Sequence, residues 1–262
     1  MRVGPVRPSQ NRIRQSFARS LPSYHGAAIA QAQIATLLAD ALQAAGAPVG
    51  FHQALEFGCG TGLFTAALLQ RFAIDELMLN DLVAQSVTSL WPILKRHKSQ
   101  TTFHVGPIES LPLPTRLDLI ASASTVQWIA DPAALVTRLA QHLCPGGWLA
   151  LSGFGRNHFA ELRAVGGGTQ APSYLDPADW RALFPPGMQL HSVTEQTISV
   201  PFTSAISLLK HLRQTGVNAG AHRQWTRANL AEFDAKLRSA QPPGDDITLS
   251  YCPVLVIAQK SV

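Results

Sequence analysis

Between residues 27 and 46, AAIAQAQIATLLADALQAAG repeats its apolar positions at helical spacing and stops at Gly46 and Pro48. Beyond it, short apolar runs alternate with helical patterns. QALEF (53–57) reads as a first strand and TGLFTAALLQRF (61–72) as the helix that follows. ELMLN (76–80) is a second strand, and a helix is expected over 83–95, bent or started late by Pro92. TTFHV (101–105) and LDLIAS (117–122) read as a third and a fourth strand. DPAALVTRLAQHL (131–143) is a helix with Asp131 as its cap and Pro132 in its first turn. PGGWLALSGF (145–154) turns into a fifth strand. Strands that alternate with helices imply right-handed crossovers and a mostly parallel sheet.

After residue 155 the rhythm changes. VGGGTQAPSY (165–174) is loop, and DPADWRALF (176–184) a short capped helix. LHSVTEQTISV (190–200) alternates as a sixth strand. SAISLLKHLRQTG (204–216) and TRANLAEFDAKLRSA (226–240) are helices, and ITLSYCPVLVIAQK (247–260) reads as a last strand. Two strands around a helical insertion suit an antiparallel pair at one edge of the sheet. The insertion then packs near the strands' carboxyl ends, where ligands of open α/β sheets bind. One domain, 1–262, is expected: an arm and lid helices over 1–46, a ligand-binding core over 47–155, an elaboration over 156–246 and the last strand over 247–262.

Composition narrows the class. Hydrophobic residues make up 46% of the 262 positions and charged ones 14%, which fits a compact protein without a membrane span. Three scattered cysteines, Cys59, Cys144 and Cys252, are too few for a disulfide framework or a zinc site, so a reducing, cytoplasmic setting is expected. The nine histidines show no metal-ligand spacing. Arg2, Arg7, Arg12, Arg14 and Arg19 precede the first acid, Asp40; Pro5 and Pro8 argue for a solvated arm over a targeting helix. The net charge of +5 comes without a basic-aromatic strip, which argues against nucleic acid and leaves an acidic partner or no particular partner as equal readings.

The candidate chemistry lies in Glu56-Phe57-Gly58-Cys59-Gly60-Thr61-Gly62. Glycines there admit backbone angles closed to other residues and keep side chains out of a ligand's way. A dinucleotide fingerprint needs glycine at position 63, which is Leu63. Glu56, ahead of the first glycine, is placed to meet a cation. Nineteen residues after Gly62, Asp81 ends the second strand, followed by Leu82. A carboxylate there can accept from both hydroxyls of a ribose. Two acids flanking such a loop resemble the class I S-adenosylmethionine-dependent methyltransferases. That resemblance implies a Rossmann-like, seven-stranded sheet with helices on both faces. It also implies S-adenosyl-L-methionine as methyl donor. The superfamily's adenine-binding aspartate is replaced by Pro107; Ile108's amide is left to meet the ring. The missing charge-assisted bond is expected to weaken cofactor binding by about 1.5–3 kcal/mol without abolishing it.

Other stretches resemble one family, the malonyl-acyl-carrier-protein O-methyltransferases of biotin synthesis. They are SFARSLPSYHGAAIAQAQIATLL (16–38), IESLPL (108–113), STVQWIADP (124–132), LLKHLRQTGVNAG (208–220) and the last strand. The resemblance implies methylation of the free carboxylate of a malonyl thioester, carried by acyl carrier protein or coenzyme A. The protein would act as a monomer. A malonyl carboxylate is already ionised at pH 7, so no general base is expected. Tyr24 and Gln31, seven apart, are expected to face the cofactor from the lid; Cys59 and Ser122 complete its expected contacts. Gln127, Trp128 and Tyr251 are expected to wall the substrate site. Lys210 and Arg213, on one helix face, are the expected cations for the malonyl carboxylate, with Lys210 also able to meet the carrier. The competing readings are a methyltransferase for another small molecule and a cofactor-binding partner protein without turnover.

Overall fold

The computed structural model describes residues 9–167, 171–217, 226–241 and 246–262. The first eight residues of the expected arm, the GTQ of the 165–174 loop and the end of the 208–220 motif lie outside the described residues. Strands β1 (Gly50–Phe57), β2 (Ala73–Asp81), β3 (Gln100–Val105), β4 (Leu117–Ser122) and β5 (Leu143–Phe154) pair in parallel, in the order β3-β2-β1-β4-β5. Two later strands, β6 (Met188–Glu195) and β9 (Pro253–Lys260), complete seven: β9 runs antiparallel to β5, and β6 closes the edge antiparallel to β9. The central strands are buried on both faces, which is why they read as continuous apolar runs rather than as alternation.

Helices cover the two faces. On one lie α2 (Ile29–Ala44), α3 (Leu63–Arg71) and α4 (Ser86–Leu94); on the other lie α5 (Pro132–His142) and α7 (Pro177–Leu183). Asp131 caps α5 as expected, accepting the Ala134 N–H at 3.0 Å. The β3-to-β4 connection carries no helix, so a groove remains over β1–β3, lined by Gln53, Glu76, Met78, Thr102 and His104 and flanked by Pro112–Pro114. It holds none of the residues marked in the sequence. Among the described residues, no helix is long and apolar enough to cross a membrane.

Three expectations are corrected. LHSVTEQTISV is two strands, with β7 (Ile198–Phe202) leaving the main sheet. The last strand is likewise two, β8 (Ile247–Tyr251) and β9; β7 and β8 form an antiparallel ribbon of their own. The bends face each other where β5 ends: Gln196 N–H donates to the Pro253 carbonyl and Gly155 N–H to the Cys252 carbonyl, and Pro253 has no N–H to continue a ladder. The second half of the expected solvated arm, from Gln10, is instead the start of a helix, α1 (Gln10–Ala27), with Ile13, Ser16 and Ser20 buried. Helices α6 (Ala160–Ala164), α8 (Ala205–Gln214) and α9 (Arg227–Ser239) and a 3-10 turn at Val126–Trp128 complete the described elements. Helix α8 packs on α1, β7 and β8.

Candidate functional site

The glycine turn sits at the carboxyl end of β1, and its three glycines do different work. Gly58 takes φ +66°, and a Cβ there would lie 2.2 Å from Thr125 Oγ1, so its smallness admits a protein side chain rather than a ligand. Gly62, at φ +83°, leaves room for Ile93 Cδ1, 2.5 Å from where its Cβ would stand, and so lets α4 close on α3. Gly60, at φ +51°, has nothing within 4 Å of that position. It is the glycine that faces open space. Gly58→Ala is therefore expected to destabilise the fold by about 2–4 kcal/mol, from left-handed backbone strain plus overpacking. Gly60→Ala should carry only the backbone cost, about 1–2 kcal/mol. Urea denaturation of the two variants checks the order.

Asp81 fastens the turn. Its Oδ2 accepts the Gly60 N–H at 2.8 Å and its Oδ1 the Val83 N–H at 2.8 Å, while Cys59 N–H donates to the Asn80 carbonyl at 3.1 Å. Asn80 Nδ2 in turn holds the His104 and Gly106 carbonyls, at 3.1 and 2.9 Å. Burial raises the Asp81 pKa, and the backbone N–H groups of Val83 and Gly60 oppose that rise.

A continuous cleft opens beside this turn. Its inner part is lined by Tyr24, Gln31, Cys59, Gly60, Thr61 and Ser124. Its outer part shares Tyr24, Gly58, Gly60 and Ser124 and adds Asp81, Leu82 and an apolar wall of Ile13, Phe17, Leu21, Val83 and Trp128. Phe17 meets Trp128 edge-on, with ring centroids 5.3 Å apart. Tyr24 and Gln31 do converge here, from two helices that break at Ala28 (ψ +48°). Among the described residues that line the cleft, none is a cation.

Glu56 lies behind the turn at 1% exposure, and its Oε2 has no hydrogen-bond partner. Burial pushes its pKa up to about 8, with Thr65 working the other way and the Asp81 charge adding to the rise. Burial also raises Tyr24 and Cys59 well above their ordinary values, Asp81 again adding to both. Gln31 Oε1, Thr61 Oγ1 and Ser124 Oγ are also buried without partners. Such orphaned acceptors and hydroxyls, gathered around an open glycine and two carboxyl groups, suit a polar, cationic ligand.

Not every expected residue comes to this cleft. Ser122 is fully buried and donates to the Phe57 carbonyl at 2.7 Å, tying β4 to β1. Ile108 belongs to the core, its carbonyl taking Arg138 Nη1 at 2.8 Å. Gln127 is buried and does not line the cleft, its Nε2 donating to the Ser124 carbonyl at 2.6 Å. Tyr251 is fully buried; its hydroxyl meets His211 Nε2 at 2.5 Å and the Gln31 side chain, so it braces the lid and walls nothing. Lys210 and Arg213 stand exposed on α8 and do not line the cleft.

Phe17, Ser124 and Thr125 were not marked as site residues in the sequence. Phe17 carried a signal as an aromatic in the 16–38 stretch. Ser124 did not: it sits at φ +55°, held by its N–H on Ser152 Oγ at 2.9 Å, a conformation that sequence does not announce for a serine.

Known proteins are similar to this chain at two levels. Residues 55–151 match a family described as "Methyltransferase domain". The solved N-methyltransferase NodS of Bradyrhizobium japonicum, in complex with S-adenosyl-L-homocysteine, shares the fold at a TM-score of 0.51 and 16% identity, over 95% of this chain and 98% of its own. Malonyl-acyl-carrier-protein O-methyltransferase of Chlorobium luteolum is 33% identical over 95% of this chain and 94% of its own. The enzyme of that name from Acinetobacter baylyi is 33% identical over 98% and 99%. At such identity along nearly the whole of both chains, this chain belongs to the malonyl-acyl-carrier-protein O-methyltransferase family.

Proposed function

We propose that the protein methylates the free carboxylate of a malonyl thioester borne on acyl carrier protein, using S-adenosyl-L-methionine. The observation that carries this reading is the open approach to Gly60 beside Asp81, faced by the Phe17–Trp128 wall, in a chain of this family. Asp81 would accept from the ribose hydroxyls, Gly60 would admit the ligand against its backbone, and Gln31, Thr61 and Ser124 offer the unpartnered polar atoms. When bound, S-adenosyl-L-methionine supplies an electrophilic methyl group on a positively charged sulfur.

The rest falls to the chain's own shape. The substrate carboxylate is ionised at neutral pH, so Tyr24, with its raised pKa, has no proton to take and keeps its own. Ile13, Phe17, Leu21 and Trp128 exclude water from the carboxylate oxygen, and the cleft aligns it with the methyl carbon. The oxygen–carbon bond forms as the carbon–sulfur bond breaks, giving a methyl ester and a neutral thioether. Among the described residues that line the cleft, none is a cation that would hold the carboxylate. By the family resemblance the ester enters biotin synthesis.

The test uses purified protein, labelled methyl donor and malonyl-carrier protein, with mass spectrometry of the ester. A methyl ester on the malonyl group is the expected product. Binding of S-adenosylhomocysteine without any labelled malonyl ester would sink the reading in favour of another substrate or a non-catalytic role.

A further inference from the structure

We propose that the outer faces of α1 and α8 together form the docking surface for an acidic carrier protein; the proposal rests on the methyl-transfer reading above. No acid occurs in the sequence before Asp40, and none between Glu195 and Glu232. These two acid-free stretches, nearly two hundred residues apart, are brought side by side. Ser16 Oγ donates to the Gly216 carbonyl at 3.0 Å and Ser23 Oγ to the Gln214 carbonyl at 3.2 Å. The approach is close: a Cβ on Gly216 would stand 2.6 Å from Ser20 Oγ. Serine and glycine at the seam make the pair a joined unit.

The unit is also the roof of the cleft, because the inner face of α1 contributes Ile13, Phe17, Leu21 and Tyr24. Its outside carries Arg14 and Arg19 on α1 and Lys210 and Arg213 on α8, all exposed. Among the described residues none of the four is in an ion pair, whereas Arg71, Arg156 and Lys236 elsewhere are each paired to a carboxylate. On α8, Ile206 is 59% exposed one turn before Lys210, with Arg213 a turn beyond. An apolar anchor flanked by two cations matches an amphipathic helix with an acidic face. Fixed positive charge at the mouth of a cleft steers an acidic protein to it and raises the association rate. A carrier docked there presents its thioester arm beside Phe17 and Trp128. This placement gives Lys210 and Arg213 a partner outside the cleft, in keeping with their exposure.

The experiment compares malonyl-carrier protein with malonyl-pantetheine, a thioester without the protein, on the wild type and on the double variant Lys210→Glu, Arg213→Glu. A thermal melt matching the wild type shows that the variant is folded. The expected result is a loss on the order of tenfold in kcat/KM for the carrier substrate, carried by KM, and no change for malonyl-pantetheine. The wild-type KM for the carrier should rise with salt above about 0.1 M, and the variant's should not. Calorimetry with unloaded carrier protein reads docking without turnover and should show weaker binding to the variant. An equal loss on both substrates places the two residues in the reaction site and overturns the proposal, and so does no loss on either. Unchanged carrier binding by calorimetry, or binding of RNA or anionic vesicles through these residues instead, overturns the docking assignment and leaves the methyl transfer standing. A wild type that methylates neither substrate removes the reading itself and takes the proposal with it.

Discussion

Replacing Asp81 by alanine should raise the Kd for S-adenosylhomocysteine a hundredfold or more while leaving the sheet intact. The carboxylate has two duties. It already accepts the Gly60 and Val83 N–H groups at 2.8 Å each, which sets the turn, and it lines the cleft, where a ribose would meet it. A hydrogen bond to a charged acceptor contributes about 1.5–3 kcal/mol, so losing two ribose hydroxyls costs on the order of 3 kcal/mol, about a hundredfold. Loosening of Gly60 adds to that. Asp81→Asn keeps the shape and one carbonyl acceptor, and should fall between the wild type and alanine. Calorimetry at fixed pH and salt measures all three, and the main-sheet core can be followed by far-ultraviolet circular dichroism. Equal affinity in wild type and Asp81→Ala would place the ligand elsewhere.

The position of Asp81 beside the glycine turn was legible in the sequence because its signal is local. A strand end, a glycine turn and the next strand end lie within thirty residues, and their geometry follows from the βαβ unit alone. The same holds for β1 to β5, whose apolar runs and intervening helices are each confined to one short window. The features that short windows do not carry depend on distant partners. The arm is read from the arginines and from Pro5 and Pro8, whereas the helix is seated, beside Ile13, by Ser16 and Ser20 against Gly216 and the end of α8, nearly two hundred residues away. Its large apolar positions, Ile13, Phe17 and Leu21, recur at helical spacing and wall the cleft, so the helix itself was within reach of the sequence. The alternation through 190–200 continues across a bend into a second sheet, because period two records which face is buried and not which neighbour buries it. Tyr251 illustrates the consequence. Its strand was expected to be one with β9, and the family resemblance put its side chain at the substrate site. With β8 turned aside, the hydroxyl instead closes on His211 and Gln31 under the lid. Burial lowers the His211 pKa, which keeps that ring neutral and suited to such a bond.

The affinity for S-adenosylhomocysteine should tighten as pH rises from 6 toward 8, and Glu56 is the cause. In the free protein burial holds Glu56 near pKa 8, so at pH 6 its carboxyl keeps its proton. An ammonium group brought to the turn favours the ionised form and pulls that pKa down, so binding below pH 8 expels a proton. By linkage the Kd then falls by up to about tenfold per pH unit through that window. The gain ends near pH 8, since Glu56 is by then ionised beforehand and α-amino groups themselves lose charge at about 7.7–8.0. The same shift has the opposite sign for the unliganded fold. A carboxyl whose native pKa lies above its unfolded value contributes stability at low pH and loses it as pH rises from about 4.5 to 8, at most about 1.4 kcal/mol per unit. Thermal melts of the free protein should therefore decline across the window in which ligand binding strengthens. Glu56→Gln, which cannot ionise, should flatten both trends and bind with the pH-independent affinity of the protonated wild type. Calorimetry in two buffers of different ionisation enthalpy counts the released proton directly. A wild-type Kd that is level between pH 6 and 7.5, with no proton released, would remove Glu56 from the ammonium and leave it a buried prop behind the glycine turn.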